Sequence, residues 1–112
     1  MKGCISVIIA FSITPLGIGD EVGRAVAEGV RVVRASNLPN QTDAMFTIVE
    51  GEWDEVMGLV KAAVDAVLKV APRASVLIKA DIRPGVTNAM SSKVDALEGY
   101  ILEAENKPAA TD

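Results

Sequence analysis

Histidine is absent from this chain and cysteine occurs once, as Cys4. Without histidine there is no Ser-His-Asp triad, no Cys-His dyad, no imidazole base and no zinc site of the Cys/His type. A single cysteine forms no internal disulfide, so a fold built from this chain must rest on packing, which suits a reducing cytoplasm. Aromatics make up only 4% of the 112 residues while apolar residues make up 50%, so the expected core is aliphatic. A chain of this length buries roughly two thirds of its unfolded surface as one domain, with little margin, and oligomerisation would add to it.

Basic residues are outnumbered, 11 against 15 acidic, giving a net charge of −4. Arg24, Arg31, Arg34, Lys61, Lys69, Lys79 and Arg83 are scattered along the chain. Nucleic acid, which needs a positive stripe to displace phosphate counterions, is therefore not the expected partner; a cationic or neutral small molecule fits better. Long apolar runs are also lacking. The stretch from Cys4 to Phe11 superficially resembles a signal-peptide core, but Ser6 and Ser12 interrupt it and no small-x-small cleavage site follows. It is too short to span a membrane, so a cytoplasmic protein without a membrane partner is expected.

The β-branched residues Val7, Ile8, Ile9 and Ile13 predict a buried strand over residues 4–14, ended by Pro15, Gly17 and Gly19. Asp20 is the expected cap of a helix in which Val22, Val26, Val30 and Val33 form one stripe, weakened by Gly23 and Gly29. A short extended piece over residues 41–44 precedes a strand Met45–Val49, closed by Glu50-Gly51. Glu52, Asp54 and Glu55 then open a long helix that buries Trp53, Val56, Val60, Ala63, Val64 and Val67 and stops at Pro72. From Ala74 to Arg83 strict alternation predicts a strand with Val76, Ile78, Ala80 and Ile82 on one face, and Ser75, Leu77, Lys79, Asp81 and Arg83 on the other. Ser92-Lys93-Val94-Asp95 resembles a capping box for a last helix carrying Val94, Leu97 and Ile101. Residues 1–102 form the expected domain, and residues 103–112 a disordered tail.

This order is the α+β, ferredoxin-like βαββαβ arrangement: an antiparallel four-stranded sheet with two helices on one face, plus a C-terminal helix. The other sheet face then carries Ser6, Ile8, Ala10 and Ser12, too apolar for plain solvent, so another subunit is expected to cover it.

Four groups of residues bear on chemistry. Lys79, Asp81 and Arg83 share the open sheet face, where they are either a solvated, ion-paired surface or the polar wall of a ligand site, with Asp81 meeting a cationic or amino-pyrimidine group. Ser12, Thr14 and Thr47 are neutral hydrogen-bonding groups near the same sheet. Gly17-Ile18-Gly19-Asp20 lacks the third glycine and the Lys-Ser/Thr pair of a phosphate loop and reads as a turn. The acidic run Glu50, Glu52, Asp54 and Glu55 reads as dipole-complementing acid, and no metal site is expected.

Taken together, Phe11-Ser12-Ile13-Thr14-Pro15-Leu16-Gly17, Leu38-Pro39, Met45-Phe46-Thr47-Ile48-Val49-Glu50-Gly51, Lys79-Ala80-Asp81-Ile82-Arg83 and Lys93-Val94 resemble the thiamine-binding, YkoF-like family of small ferredoxin-like proteins, over residues 5–102. The resemblance implies a non-catalytic, homo-oligomeric protein, a dimer or tetramer joined through its sheets. Its ligand would be thiamine or its hydroxymethylpyrimidine moiety, with no further cofactor. It places Ser12, Thr14, Thr47, Glu50, Asp81 and Arg83 near the ligand, with Glu50 or Asp81 answering the thiazolium charge. Phe46 stands where such proteins often have a small residue and Asn40 where an aromatic is frequent, which implies a reshaped pocket. Two other readings remain open: a small-molecule-sensing regulatory module, ACT- or PII-like in architecture, and a purely structural oligomer.

Overall fold

The computed structural model describes residues 6–85 and 89–106. Its elements follow the expected order: β1 (Ser6–Leu16), α1 (Val22–Ala35), β2 (Asn40–Thr42), β3 (Thr47–Glu52), α2 (Trp53–Leu68), β4 (Arg73–Ile82) and α3 (Ala89–Asn106). The strands form one sheet of order β2-β3-β1-β4, and every pairing in it is antiparallel. This is the ferredoxin-like arrangement.

The register sorts the side chains onto two faces. Val7, Ile9 and Phe11 of β1 and Thr47 and Val49 of β3 are buried, and the apolar ones among them pack with Val33 of α1 and Val56, Val60 and Ala63 of α2. Ser6, Ile8, Ala10 and Ser12 alternate with them onto the opposite face, as the strand period requires. Glu50, Ile8 and Asp81 lie in one row across that face, because Ile8 pairs with Glu50 on one side and Asp81 on the other.

Several boundaries differ from expectation for identifiable reasons. The first strand runs through Pro15 to Leu16. Beyond Phe11 it pairs only with β4, and proline is tolerated where a strand has a single neighbour. The turn falls instead at Gly17, whose φ of 85° suits glycine, and whose Cβ, if present, would sit 2.8 Å from Pro72 Cγ. In β3, Glu50 and Gly51 continue the strand rather than close it, since they pair with Ile8 and Val7.

The cap of α1 is Glu21, without a side-chain bond, not Asp20. The buried line of that helix is Ala25, Gly29 and Val33, so that of the expected valine stripe Val33 alone is fully buried. Small residues win because α1 lies close on α2: a Cβ on Gly29 would lie 3.2 Å from the Ala63 carbonyl oxygen. In α2, Glu52 is the N-cap and its carboxylate accepts from the Glu55 N–H at 3.0 Å, while Asp54 and Glu55 lie in the first turn. Ser92 does not cap α3, which is already helical at Ala89 and continues to Asn106, into the stretch expected to be disordered. Residues 107–112 of that stretch lie outside the described residues.

Candidate functional site

Two clefts take up most of the expected site residues. The first lies between α1 and the turn that joins β2 to β3. Its volume is about 200 Å³, and Phe11, Ser12, Val26, Gly29, Val30, Thr42, Asp43, Phe46 and Thr47 line it among others. The turn is held by Asp43, whose carboxylate accepts the N–H groups of Met45 at 2.7 Å and Phe46 at 2.8 Å. These two backbone bonds hold the Asp43 carboxyl below its ordinary value. The turn closes with the Asp43 N–H donating to the Phe46 carbonyl at 2.9 Å. Phe46 is thereby fixed as an aromatic wall of the cleft. Asn40, which stands where the resembled family frequently has an aromatic, donates its amide to the Leu38 carbonyl at 2.8 Å.

The first cleft has three hydroxyl-bearing residues, Thr42, Thr47 and Ser12, and two aromatic ones, Phe11 and Phe46, in its lining. Pockets that enclose a whole drug-sized ligand run from roughly 300 Å³ upward. At about 200 Å³ this cleft accommodates a single aromatic ring with a few substituents. Hydroxyls that donate and accept, beside a ring wall, are what an amino-substituted heterocycle requires.

The second cleft, of about 180 Å³, lies on the open face between the sheet and the first turn of α3. Ser6, Ile8, Asp81, Arg83, Ala89, Ser92 and Lys93 line it. Lys93 donates to the Asp81 carboxylate, and this bond, with the ammonium charge behind it, holds the Asp81 carboxyl below its ordinary value. Glu50 is only 5% exposed, and its carboxylate accepts the Ala89 N–H at 2.6 Å. It thus occupies the position of an N-terminal acceptor for α3, which Ser92 was expected to fill.

Of the six expected residues, Ser12 and Thr47 border the first cleft, and Asp81 and Arg83 the second. Glu50 is engaged with α3. Thr14 is exposed near the end of β1, paired with Ser75. The strands that carry these residues do not bring them to one point. Sequence reasoning missed Thr42, Asp43, Val26 and Val30 as walls of the first cleft and Lys93 as the partner of Asp81. Asp43 had a legible signal, an acidic residue followed by a short turn before a strand. Lys93 did not, since its partner is twelve positions away.

Comparison with known proteins places this architecture. A model of the family described as thiamine-binding protein matches residues 9–98. The chain belongs to that family. A UPF0045 protein of Mycobacterium tuberculosis is 59% identical over 102 residues, covering 90% of this chain and 100% of the relative. Among solved structures, a hypothetical protein of Methanocaldococcus jannaschii superposes with a TM-score of 0.76 at 32% identity, over 83% of this chain and 96% of that one. A Thermotoga maritima protein, described as a candidate for thiamine biosynthesis or salvage, shares the fold with a TM-score of 0.70 at 20% identity, over 80% of this chain and 98% of that one. The matched span takes in the whole first cleft, the Asp81, Arg83 and Lys93 side of the second, and the root of α3. No helix among the described residues is long and apolar enough to cross a membrane.

Proposed function

We propose that this member of the thiamine-binding protein family binds thiamine, or its hydroxymethylpyrimidine moiety, without turning it over, and does so as a homo-oligomer. The family match over residues 9–98 carries the reading. The first cleft supports it, since it has room for one pyrimidine ring, with Phe46 and Phe11 as flat walls and Thr47, Thr42 and Ser12 for the ring nitrogens and exocyclic amine. The thiazolium would then lie toward the cleft mouth, where Asp43 is the acidic residue of the lining. Asp81 and Arg83, with Glu50 and Thr14, are proposed as further contributors from the assembled sheet. With no histidine in the chain, proton transfer near neutral pH has no imidazole to use, which favours binding over conversion.

Isothermal titration with thiamine, and separately with hydroxymethylpyrimidine, tests the reading. Saturable binding of both at one site per chain is the expected result. Thr47→Val should weaken each by roughly fivefold to tenfold, the value of one buried hydrogen bond, with the fold intact. Absence of heat with either compound, from a folded sample, would overturn the proposal; unchanged affinity in Thr47→Val would move the site away from the first cleft.

A further inference from the structure

The first cleft carries charge of one sign. Of the residues that line it, Asp43 alone is ionisable; the others are apolar side chains, neutral hydroxyls and a glycine. The arginines of the neighbouring helix do not enter it. Arg24 pairs with Glu21 at 3.2 Å and Arg31 with Glu28 at 3.1 Å, and Arg34, one turn beyond Val30, is exposed and outside the lining. Arg83 and Lys93 belong to the second cleft.

The turn that bears Asp43 fixes the carboxylate and leaves part of it free. Both backbone donors, the N–H groups of Met45 and Phe46, reach the same oxygen, Oδ1. Among the described residues Oδ2 takes part in no hydrogen bond or ion pair. A side chain already held in place loses little rotamer freedom when a ligand meets it. The same two bonds keep the carboxyl ionised at neutral pH. They also have a second effect. Successive backbone N–H groups in a turn form a nest that can receive a phosphate, and here the chain's own carboxylate occupies it.

We propose that Asp43 selects the ligand by charge, so that the first cleft takes free, cationic thiamine and rejects its phosphate esters. This rests on the thiamine reading of the cleft and adds a choice among thiamine compounds to it. The cleft, at about 200 Å³, has room for the pyrimidine ring, which leaves the thiazolium and its hydroxyethyl arm at the mouth with Asp43. Thiamine brings one fixed positive charge there. An ester on that arm adds negative charge and makes the ligand neutral or anionic. A phosphate needs cations or free N–H donors, and the lining offers no cation while Asp43 takes the two N–H groups of the turn. Opposite unit charges about 4 Å apart in water are worth roughly fivefold in affinity, and the doubly charged ester group is repelled by a similar factor at about twice that distance.

The test is isothermal titration of the full chain and of Asp43→Asn with thiamine, thiamine monophosphate and the neutral hydroxymethylpyrimidine. Asparagine keeps the oxygen that accepts from the turn and removes the charge. The parent should bind thiamine about tenfold more tightly than the monophosphate. In Asp43→Asn thiamine should weaken about fivefold, hydroxymethylpyrimidine should stay within about twofold, and the preference over the monophosphate should shrink to about twofold. A second measurement needs only the parent: raising salt from about 0.05 to 0.5 M should weaken thiamine and leave hydroxymethylpyrimidine unchanged. A monophosphate that binds the parent as tightly as thiamine, an unaltered preference in folded Asp43→Asn, or thiamine binding indifferent to salt would overturn the charge selection and leave the thiamine reading standing. No binding of thiamine or hydroxymethylpyrimidine to the parent would overturn both.

Discussion

At the scale of single residues, the polar groups with the clearest structural duty are carboxylates that organise backbone or cation. Asp43 shapes the turn that carries Phe46, Glu50 receives the start of α3, and Asp81 receives Lys93. The Asp81 carboxyl lies below its ordinary value of 3.8, chiefly through the hydrogen bond from Lys93 and then its charge, with Arg83 and Lys79 adding to the effect. A folded value below the unfolded one means that the pair's contribution is fully present above pH 3.8 and is lost as pH falls through the folded value. Side-chain carboxyl titration by NMR should give Asp81 a midpoint below 3.8 in the parent, and Lys93→Met should raise it. Equal midpoints in the two proteins would show that the tether of α3 does not form in solution. Of these three duties only that of Asp43 has a local signal, since its partners are two and three positions on; those of Glu50 and Asp81 depend on which chain segment folds against them.

Among the elements, most of the secondary structure was legible. Strict alternation over β4 and the β-branched run of β1 assigned both strands and both faces correctly, because a period of two has one solution once one face is buried. What misled was the value given to glycine. Gly29 read as a weakness of α1, whereas it is the point of closest approach to α2: a methyl group there would lie 3.1 Å from Val67 Cγ2 and 3.2 Å from the Ala63 carbonyl oxygen. A methyl group at Gly58, on the exposed side of α2, would meet nothing within 4 Å. The two sites should therefore respond in opposite directions to the same substitution. Gly58→Ala gains helix propensity and should stabilise by about 0.5–1 kcal/mol. In Gly29→Ala the same gain is outweighed by overpacking against backbone that side-chain motion cannot relieve, a cost of about 1–3 kcal/mol. Denaturant melts of the two variants check this, and a stabilised Gly29→Ala would mean that the helices separate more easily than their spacing implies.

For the whole molecule, the proposed homo-oligomer makes stability a matter of concentration. On that reading folding draws on a contact between copies, and the melting temperature should rise with protein concentration. Differential scanning at two concentrations a hundredfold apart is sufficient; a melting point that does not move argues against association coupled to folding.

The order of elements, the faces of β1 and β4, the acidic start of α2 and the residues that carry the family likeness can all be read along the chain without a fold. Those are properties of local spacing, propensity and composition, and they act within a few residues of where they are written. The rest follows from how the chain packs. Packing continued β3 through Glu50 and Gly51 because β1 offers them pairing. It drew Ser12 and Thr47 to one cleft and Asp81 and Arg83 to another, and it made a buried glutamate the acceptor for a helix 39 positions away. Such pairings depend on strand register and on which surfaces remain uncovered after the sheet and its two helices have packed, and no local pattern encodes either.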